Sequence, residues 1–345
     1  MTAPDPPASD LDPEHAPQPR PLPAPGFAPR LFDWIEQRKH PIGFAAVAIV
    51  FLLAAWAMLR MLGGVSTAEV GRSIAELPPA ALLASAVLTA AGFTALVGYD
   101  WSALHYVGRR LPPATVVYAS FCGFAVGNTV GFSLLSGGSV RFRIYSEAGL
   151  RSDDIVRVVV FCIVAFGFGV CAVSALGVLT RPDLLAGWLG IHVGWLHAAG
   201  IATIAGIAGW IALCARTRSF GWGRMTIPMP SVRLVVLQLT ISALDIGFAS
   251  AALYVLLPAH DGFSFIAFIP LYCVAAVAGI MSHVPGGLGV FEAVMLFALG
   301  NVLAKDELVG ALTVYRCLYY VLPLLLAALL LGGNELRRQL VRRRG

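Results

Sequence analysis

The sequence predicts an all-α polytopic membrane protein, about eight transmembrane or re-entrant helices arranged as an inverted repeat. Three observations lead there. Charged residues are 12% and hydrophobic residues 58% of the 345, and the mean hydropathy is +0.79. A soluble domain carries about 25% charged residues, so this chain has too little polar surface to cover a soluble globule. The apolar residues are gathered into long runs, and a span needs about 20 of them. Two of those runs end at glycine pairs, Gly137-Gly138 and Gly286-Gly287.

Residues 1–38, rich in Pro, Ala and Asp, have no helical or strand period. They are expected to form a disordered, Pro-rich cytoplasmic tail. No apolar core follows a basic start, so this segment is a poor signal peptide. A membrane domain is expected over residues 39–333, followed by a basic cytoplasmic tail over 334–345.

The apolar runs cover about 43–62, 80–98, 114–135, 155–179, 193–214, 234–257, 263–281, a shorter piece at 290–303, and 309–331. Lys and Arg set the orientation, because cytoplasmic loops hold the excess. They cluster before the first run (Arg30, Arg38, Lys39), after the second (Arg109, Arg110), after the third (Arg141, Arg143, Arg151, Arg157) and after the fifth (Arg216, Arg218, Arg224). Five more, Arg337, Arg338, Arg342, Arg343 and Arg344, follow the last run. Both termini are therefore placed in the cytoplasm. Simple alternation then fails once. If the loops on both sides of the third run are cytoplasmic, that run enters and leaves on one side as a re-entrant helix. The alternative is that Arg141 and Arg143 sit outside, against the rule.

Two stretches share the pattern S-x-x-[SP]-G-G-x-x-x-F followed by a charge: Ser133 to Arg143 and Ser282 to Glu292. They lie 149 positions apart (Gly286 against Gly137). The first follows a run that begins at a basic loop, the second a run that begins at the short loop 258–262, which the charges place outside. Two similar units entering from opposite faces form an inverted repeat, and glycine-interrupted helices at matching places mark a transporter-type site. The helix breaks are assigned to Gly137, Gly138, Pro285, Gly286 and Gly287. The bland alternative is that each glycine pair is an ordinary helix stop.

A charge at the bilayer centre costs about 2.5–3.5 kcal/mol on insertion scales, so charges there are functional candidates. Arg141 and Arg143 follow the first break, with Glu147 one helical turn on; Glu292 follows the second. Asp245 lies deep in the sixth run, and Arg316 lies in the last beside Tyr315, Tyr319 and Tyr320. The structural alternative is mutual neutralisation, Asp245 with Arg316 or Glu292 with Arg143. Arginine clusters suit phosphate and a carboxylate suits an amine, so together they fit an amino-bearing phospholipid headgroup. His283 adjoins the second break and reads as a packing residue.

The six cysteines all sit in apolar stretches without a C-x-x-C pair, which supports neither a disulfide framework nor a metal site. No cofactor is expected. The terminal arginines mark a loop end rather than a nucleic-acid site. There is no G-x-x-x-x-G-K-[ST] loop for ATP hydrolysis, and no H-E-x-x-H or G-x-S-x-G for headgroup chemistry.

The run Val130 to Leu150, with Ser136-Gly-Gly-Ser-Val-Arg-Phe-Arg143 at its centre, resembles the membrane part of the lysylphosphatidylglycerol synthase/flippase family, the multiple peptide resistance factors. So do Tyr99-Asp100-Trp101, His283-Val-Pro-Gly-Gly-Leu-Gly-Val-Phe-Glu292, and Tyr315-Arg316 through Tyr319-Tyr320 to Pro323. These cover most of residues 43–333. The resemblance implies a flippase in a bacterial-type inner membrane. It would move aminoacylated phosphatidylglycerol to the outer leaflet, making the surface less negative and blunting cationic antimicrobial peptides. It places Arg141, Arg143 and Glu292 in the lipid pathway. Family members continue into a soluble aminoacyltransferase domain, for which this chain leaves no room, so synthase activity is not expected of it alone. A membrane phospholipid is the expected partner, with a separate aminoacyl-phosphatidylglycerol synthase beside it; a homo-oligomer is compatible with the small-residue helix faces. The alternative reading is a membrane subunit or scaffold of such a lipid-modifying system.

Overall fold

The computed structural model describes residues 67–130, 136–217, 219–222, 225–258, 264–300 and 302–344. The chain divides into two units, Met1–Ile49 and Val50–Gly345, and every described residue belongs to the second. The expected N-terminal tail, the boundary at 38/39 and the first apolar run lie outside the described residues.

The elements in order are α1 (Thr67–Glu76), α2 (Pro79–Tyr106), α3 (Pro113–Val130), α4 (Ser136–Glu147), α5 (Ser152–Thr180), α6 (Pro182–Leu189), α7 (Val193–Arg216), a hairpin of β1 (Ser219–Trp222) and β2 (Met225–Pro228), α8 (Val232–Tyr254), α9 (Phe265–Met281), a 3-10 turn (Pro285–Gly287), α10 (Val290–Leu299), α11 (Lys305–Arg316), a π-helical turn (Cys317–Val321) and α12 (Leu322–Arg344). Each apolar run within the described residues became a helix, because in lipid only a helix satisfies its own backbone polar groups. Proline stands at the first turn of α2 and α6, where its missing N–H costs nothing. Ser231 and Ser264 cap α8 and α9 by accepting from Leu234 N–H and Ala267 N–H, both at 3.4 Å.

Among the described residues five helical stretches are long and apolar enough to cross a membrane: α2, α5, α7, α8 and the continuous stretch Lys305–Arg337. Their outward faces are apolar, with Trp195, Ile201 and Leu329 more than 60% exposed, the surface of a protein solvated by lipid rather than water. The molecule is an all-α, multi-pass membrane protein. Among the described residues the departure from helix is the short β1–β2 hairpin, which pairs Ser219 with Pro228 and Trp222 with Met225 in the basic segment after the fifth run. The segment expected as a C-terminal tail continues α12 as helix to Arg344.

The helices form two similar units. In each, a long helix (α2, α8) leads to two short ones (α3 and α4; α9 and α10) and then a long helix (α5; α11 with α12). Each has its own core. Phe93, Tyr99, Val116, Ile144, Tyr145 and Val158 fill the first; Leu253, Phe268, Phe291, Met295, Leu308 and Tyr315 fill the second. The two lead helices pack along their length. Ser85 donates to Ala252 O at 2.8 Å, Gly92 faces Phe248, Gly98 faces Ile241, and Gln238 meets Ser102. Ascending positions on α2 meet descending positions on α8, so the helices are antiparallel and the units are oppositely oriented. The remaining contacts follow the same two-fold pattern: α5 packs on α8 and α9, while α12 packs on α3 and the π-turn on α2 and α3.

Candidate functional site

The short helices of each unit fold back on each other. On the first hairpin, a Cβ placed on Gly137 would lie 2.5 Å from Gly123 O and 3.3 Å from Gly127 Cα, and Arg141 lies against Gly123. Positions 137 and 141 descend as 127 and 123 ascend, so α3 and α4 are an antiparallel pair, the fold-back that a re-entrant run requires. The second hairpin is built alike. Gly279 abuts Gly287, and the Tyr272 and Phe291 rings meet edge-on at 5.6 Å.

Pro285, Gly286 and Gly287 form the 3-10 turn between α9 and α10. Gly286 and Gly287 take φ of +60° and +61°, which glycine adopts without a Cβ penalty. Gly137 and Gly138 are the second and third residues of α4. Gly137 serves close approach, since the carbonyl of Gly123 leaves no room for a side chain there.

The two hairpins enter from opposite ends of the bundle, and the last turn of α3 meets the second hairpin. The end of α3 touches the 3-10 turn, where a Cβ on Gly286 would lie 3.2 Å from Thr129 O and 3.7 Å from Asn128 O. Thr129 donates to Ala125 O at 2.9 Å and reaches Tyr320 O at 3.5 Å.

Each hairpin carries a buried arginine–carboxylate clamp. On the first, Arg141 makes a bidentate pair with Asp100 of α2, Nε to Oδ1 at 2.9 Å and Nη2 to Oδ2 at 3.0 Å, and its guanidinium lies 4.1 Å above the Phe124 ring. On the second, Arg316 donates to Glu292 and to the carbonyls of Gly286 and Gly287. Glu292 accepts from Gly289 N–H at 2.8 Å, capping α10. One side chain thus ties the 3-10 turn to α11 and also lies 4.4 Å over the Tyr320 ring. All four charges are buried, and such charges persist in low dielectric only when paired and hydrogen-bonded.

The pairings weighed from sequence are not those observed. Arg316 takes Glu292 rather than Asp245, and Arg143 takes Glu335 of α12 with Glu147 at 3.6 Å. The reason is placement: Arg143 is on the outer face of α4, its side chain 53% exposed, and cannot reach the interior turn. Arg143→Ala is therefore expected to change stability by less than about 1 kcal/mol, read as an unchanged melting temperature in detergent; any loss of function in it is not a folding defect.

Asp245 lies at the α2–α8 contact, 4% exposed, where Tyr99 Oη donates to it at a long 3.4 Å. It adjoins a tyrosine cluster: Tyr272 and Tyr315 hydroxyls are 2.7 Å apart, and the Tyr315 and Tyr319 rings stack at 5.2 Å. Six predicted residues thus divide into Arg141, Asp245, Glu292 and Arg316 inside and Arg143 and Glu147 at the periphery. Sequence reasoning missed Asp100 as the partner of Arg141, and Tyr272. The signal for Asp100 was present: a carboxylate just past the run at 80–98, next to Tyr99 and Trp101. His283 has φ of +56° and its Nδ1 lies 2.8 Å from Met281 O, a turn residue beside the break.

Among the described residues no three His, Cys, Asp or Glu side chains converge to hold a metal ion. An open groove between α5 and α7, of about 600 Å³ and lined by Val164, Phe168, Ile207 and Trp210 among others, is apolar. It offers nothing to a charged headgroup.

Comparison with known proteins agrees with this architecture. The family described as the lysylphosphatidylglycerol synthase TM region matches residues 43–327. An uncharacterised protein of Synechocystis is 33% identical over 302 residues, 87% of this chain and 94% of that one. The Escherichia coli inner membrane protein YbhN is 29% identical over 301 residues, 85% of this chain and 91% of its own. A phosphatidylglycerol lysyltransferase of Staphylococcus aureus is 22% identical over 292 residues, 81% of this chain but 32% of the longer protein. With its two hairpins of short helices inside a polytopic bundle, this chain belongs to the lysylphosphatidylglycerol synthase transmembrane-region family.

Proposed function

We propose that the protein translocates a phospholipid with an amino-bearing headgroup, aminoacylated phosphatidylglycerol or a close relative, from the inner to the outer leaflet of a bacterial-type inner membrane. The observation that carries this reading is the meeting of two oppositely oriented hairpins of short helices inside the bundle. Broken helices leave backbone N–H and C=O groups without intrahelical partners, tolerated at membrane depth only against protein or a polar path. In inverted-repeat transporters such half-helix ends face the substrate, N–H ends toward anionic groups and carbonyl ends toward cations. A headgroup with a phosphate and an ammonium needs both. In this reading Arg141, Glu292 and Arg316 line the path, Arg143 and Glu147 stand at its outer edge, and the termini are cytoplasmic. Outward movement lowers the negative charge of the surface and with it susceptibility to cationic antimicrobial peptides.

The test is leaflet distribution. The chain is expressed with an aminoacyl-phosphatidylglycerol synthase in cells lacking their own flippase, and outer-leaflet amines are labelled with an impermeant reagent. Labelled aminoacyl lipid is expected only when the chain is present, and its loss in Arg143→Ala would assign that residue to the path. No change, with the protein shown to be inserted, would overturn the reading in favour of a scaffold for a separate synthase, docked through the arginine-rich end of α12.

A further inference from the structure

Among the described residues four carboxylates are buried: Asp100, Asp154, Asp245 and Glu292. Three have an arginine, Asp100 with Arg141, Asp154 with Arg109 and Glu292 with Arg316. Asp245 has none. Its hydrogen-bond partner is the Tyr99 hydroxyl, and the titratable groups facing it are neutral at ordinary pH. These are Tyr99 on α2, Tyr272 on α9 and Tyr319 on the π-turn, with Cys162 of α5 behind Tyr99. An ionised carboxylate in such a setting lacks the compensation that buried charge requires. A neutral carboxylic acid does not.

The position gives that proton a consequence. Asp245 and Tyr99 sit where α8 and α2, the lead helices of the two repeats, cross. Alternating access in inverted-repeat proteins is largely a rocking of one repeat against the other, and this contact must change for it to occur. With the proton on, the carboxyl can stay buried in a closed contact, where Asp245 is 4% exposed. With the proton off, the carboxylate demands water or a cation, which favours an open contact.

We propose that Asp245 is a proton-binding site at the inter-repeat contact, and that its protonation and release are coupled to passage of the lipid. The inference deepens the translocation reading and rests on it. In each cycle the proton leaves the Asp245 carboxyl for water on one side and is replaced from water on the other. No bond other than O–H is made or broken. Lysyl-phosphatidylglycerol carries two ammoniums and one phosphate, so exchange of one outward lipid for one inward proton moves no net charge. The cycle then draws on a proton gradient instead of ATP.

Two measurements test this. Infrared difference spectra of the purified protein between neutral and alkaline buffer are expected to show a protonated-carboxyl band that disappears on alkalinisation. It should be missing from Asp245→Asn, whose amide mimics the neutral acid and preserves the fold. A band unchanged in Asp245→Asn, or none in the parent, overturns the assignment. Second, proteoliposomes of the parent protein containing lysyl-phosphatidylglycerol are given a one-unit pH gradient, acid outside, and outer amines are titrated. One proton per lipid predicts an outer-to-inner ratio approaching about tenfold, and Asp245→Asn should show no gradient-driven excess. Lipid that equilibrates to equal amounts despite the gradient overturns the coupling while leaving translocation intact. Absence of any lipid movement overturns the coupling together with the reading beneath it.

Discussion

Arg316→Met is expected to destabilise the protein by about 3–5 kcal/mol, the cost of leaving a buried carboxylate without its cation. Glu292 would keep its bond to Gly289 N–H but lose its counter-ion at 4% exposure, and the carbonyls of Gly286 and Gly287 would lose their donor. The companion Glu292→Leu/Arg316→Met double variant should recover most of the loss, because replacing a buried ion pair by apolar residues is often neutral or stabilising. It should not recover all of it, since the two carbonyls stay unpaired. Function separates from stability here. If the lipid passes over the second break, the double variant folds but leaves aminoacyl lipid in the inner leaflet. Thermal unfolding in detergent and outer-leaflet amine labelling read the two quantities independently. A single variant melting like the parent would show that the pair does not hold the turn, and a double variant with normal lipid exposure would remove Glu292 and Arg316 from the path.

The spans were legible because length and hydropathy are local properties: the run at 155–179 became α5, and that at 193–214 became α7. The repeat was legible because the spacing of Ser, Gly-Gly and Phe survives in both halves. The charge count around Arg109 and Arg141 argued for a re-entrant third run, since a span entering and leaving on one side must reverse. The partners of the charges were not legible. Arg141 and Asp100 lie 41 positions apart and Arg316 and Glu292 lie 24 apart. The sequence does not say which carboxylate each arginine reaches; the fold decides it, bringing Asp100 of α2 to Arg141 and Glu292 of α10 to Arg316. The π-turn at Cys317–Val321 and the β1–β2 hairpin were equally hidden, because short elements depend on neighbours more than on their own residues.

Gly137→Ala is the sharpest test of the re-entrant geometry, and its sign is opposite to that of an ordinary glycine replacement. In an open helix interior, Gly→Ala stabilises by roughly 0.5–1 kcal/mol because alanine loses less backbone entropy. Gly206 in α7 has nothing within 4 Å of its Cβ direction, so Gly206→Ala is expected to raise the melting temperature slightly. At Gly137 the new methyl would stand 2.5 Å from the carbonyl oxygen of Gly123. That atom is backbone, itself in a helix, so the hairpin must part. Overpacking of this kind costs about 1–3 kcal/mol or more, and parting α3 from α4 also disturbs the seat of Arg141, which lies against both Gly123 and Gly137. Gly287→Ala adds a second cause, because its Cβ would meet Gly279 Cα at 2.8 Å while φ stays at +61°, itself unfavourable by roughly 1–2 kcal/mol for an L side chain. The expected order of melting temperature is Gly206→Ala at or above the parent, with Gly137→Ala and Gly287→Ala well below it. If all three melt alike, α3–α4 and α9–α10 are not the close glycine-packed hairpins described, and the meeting of α3 with the second hairpin loses its support.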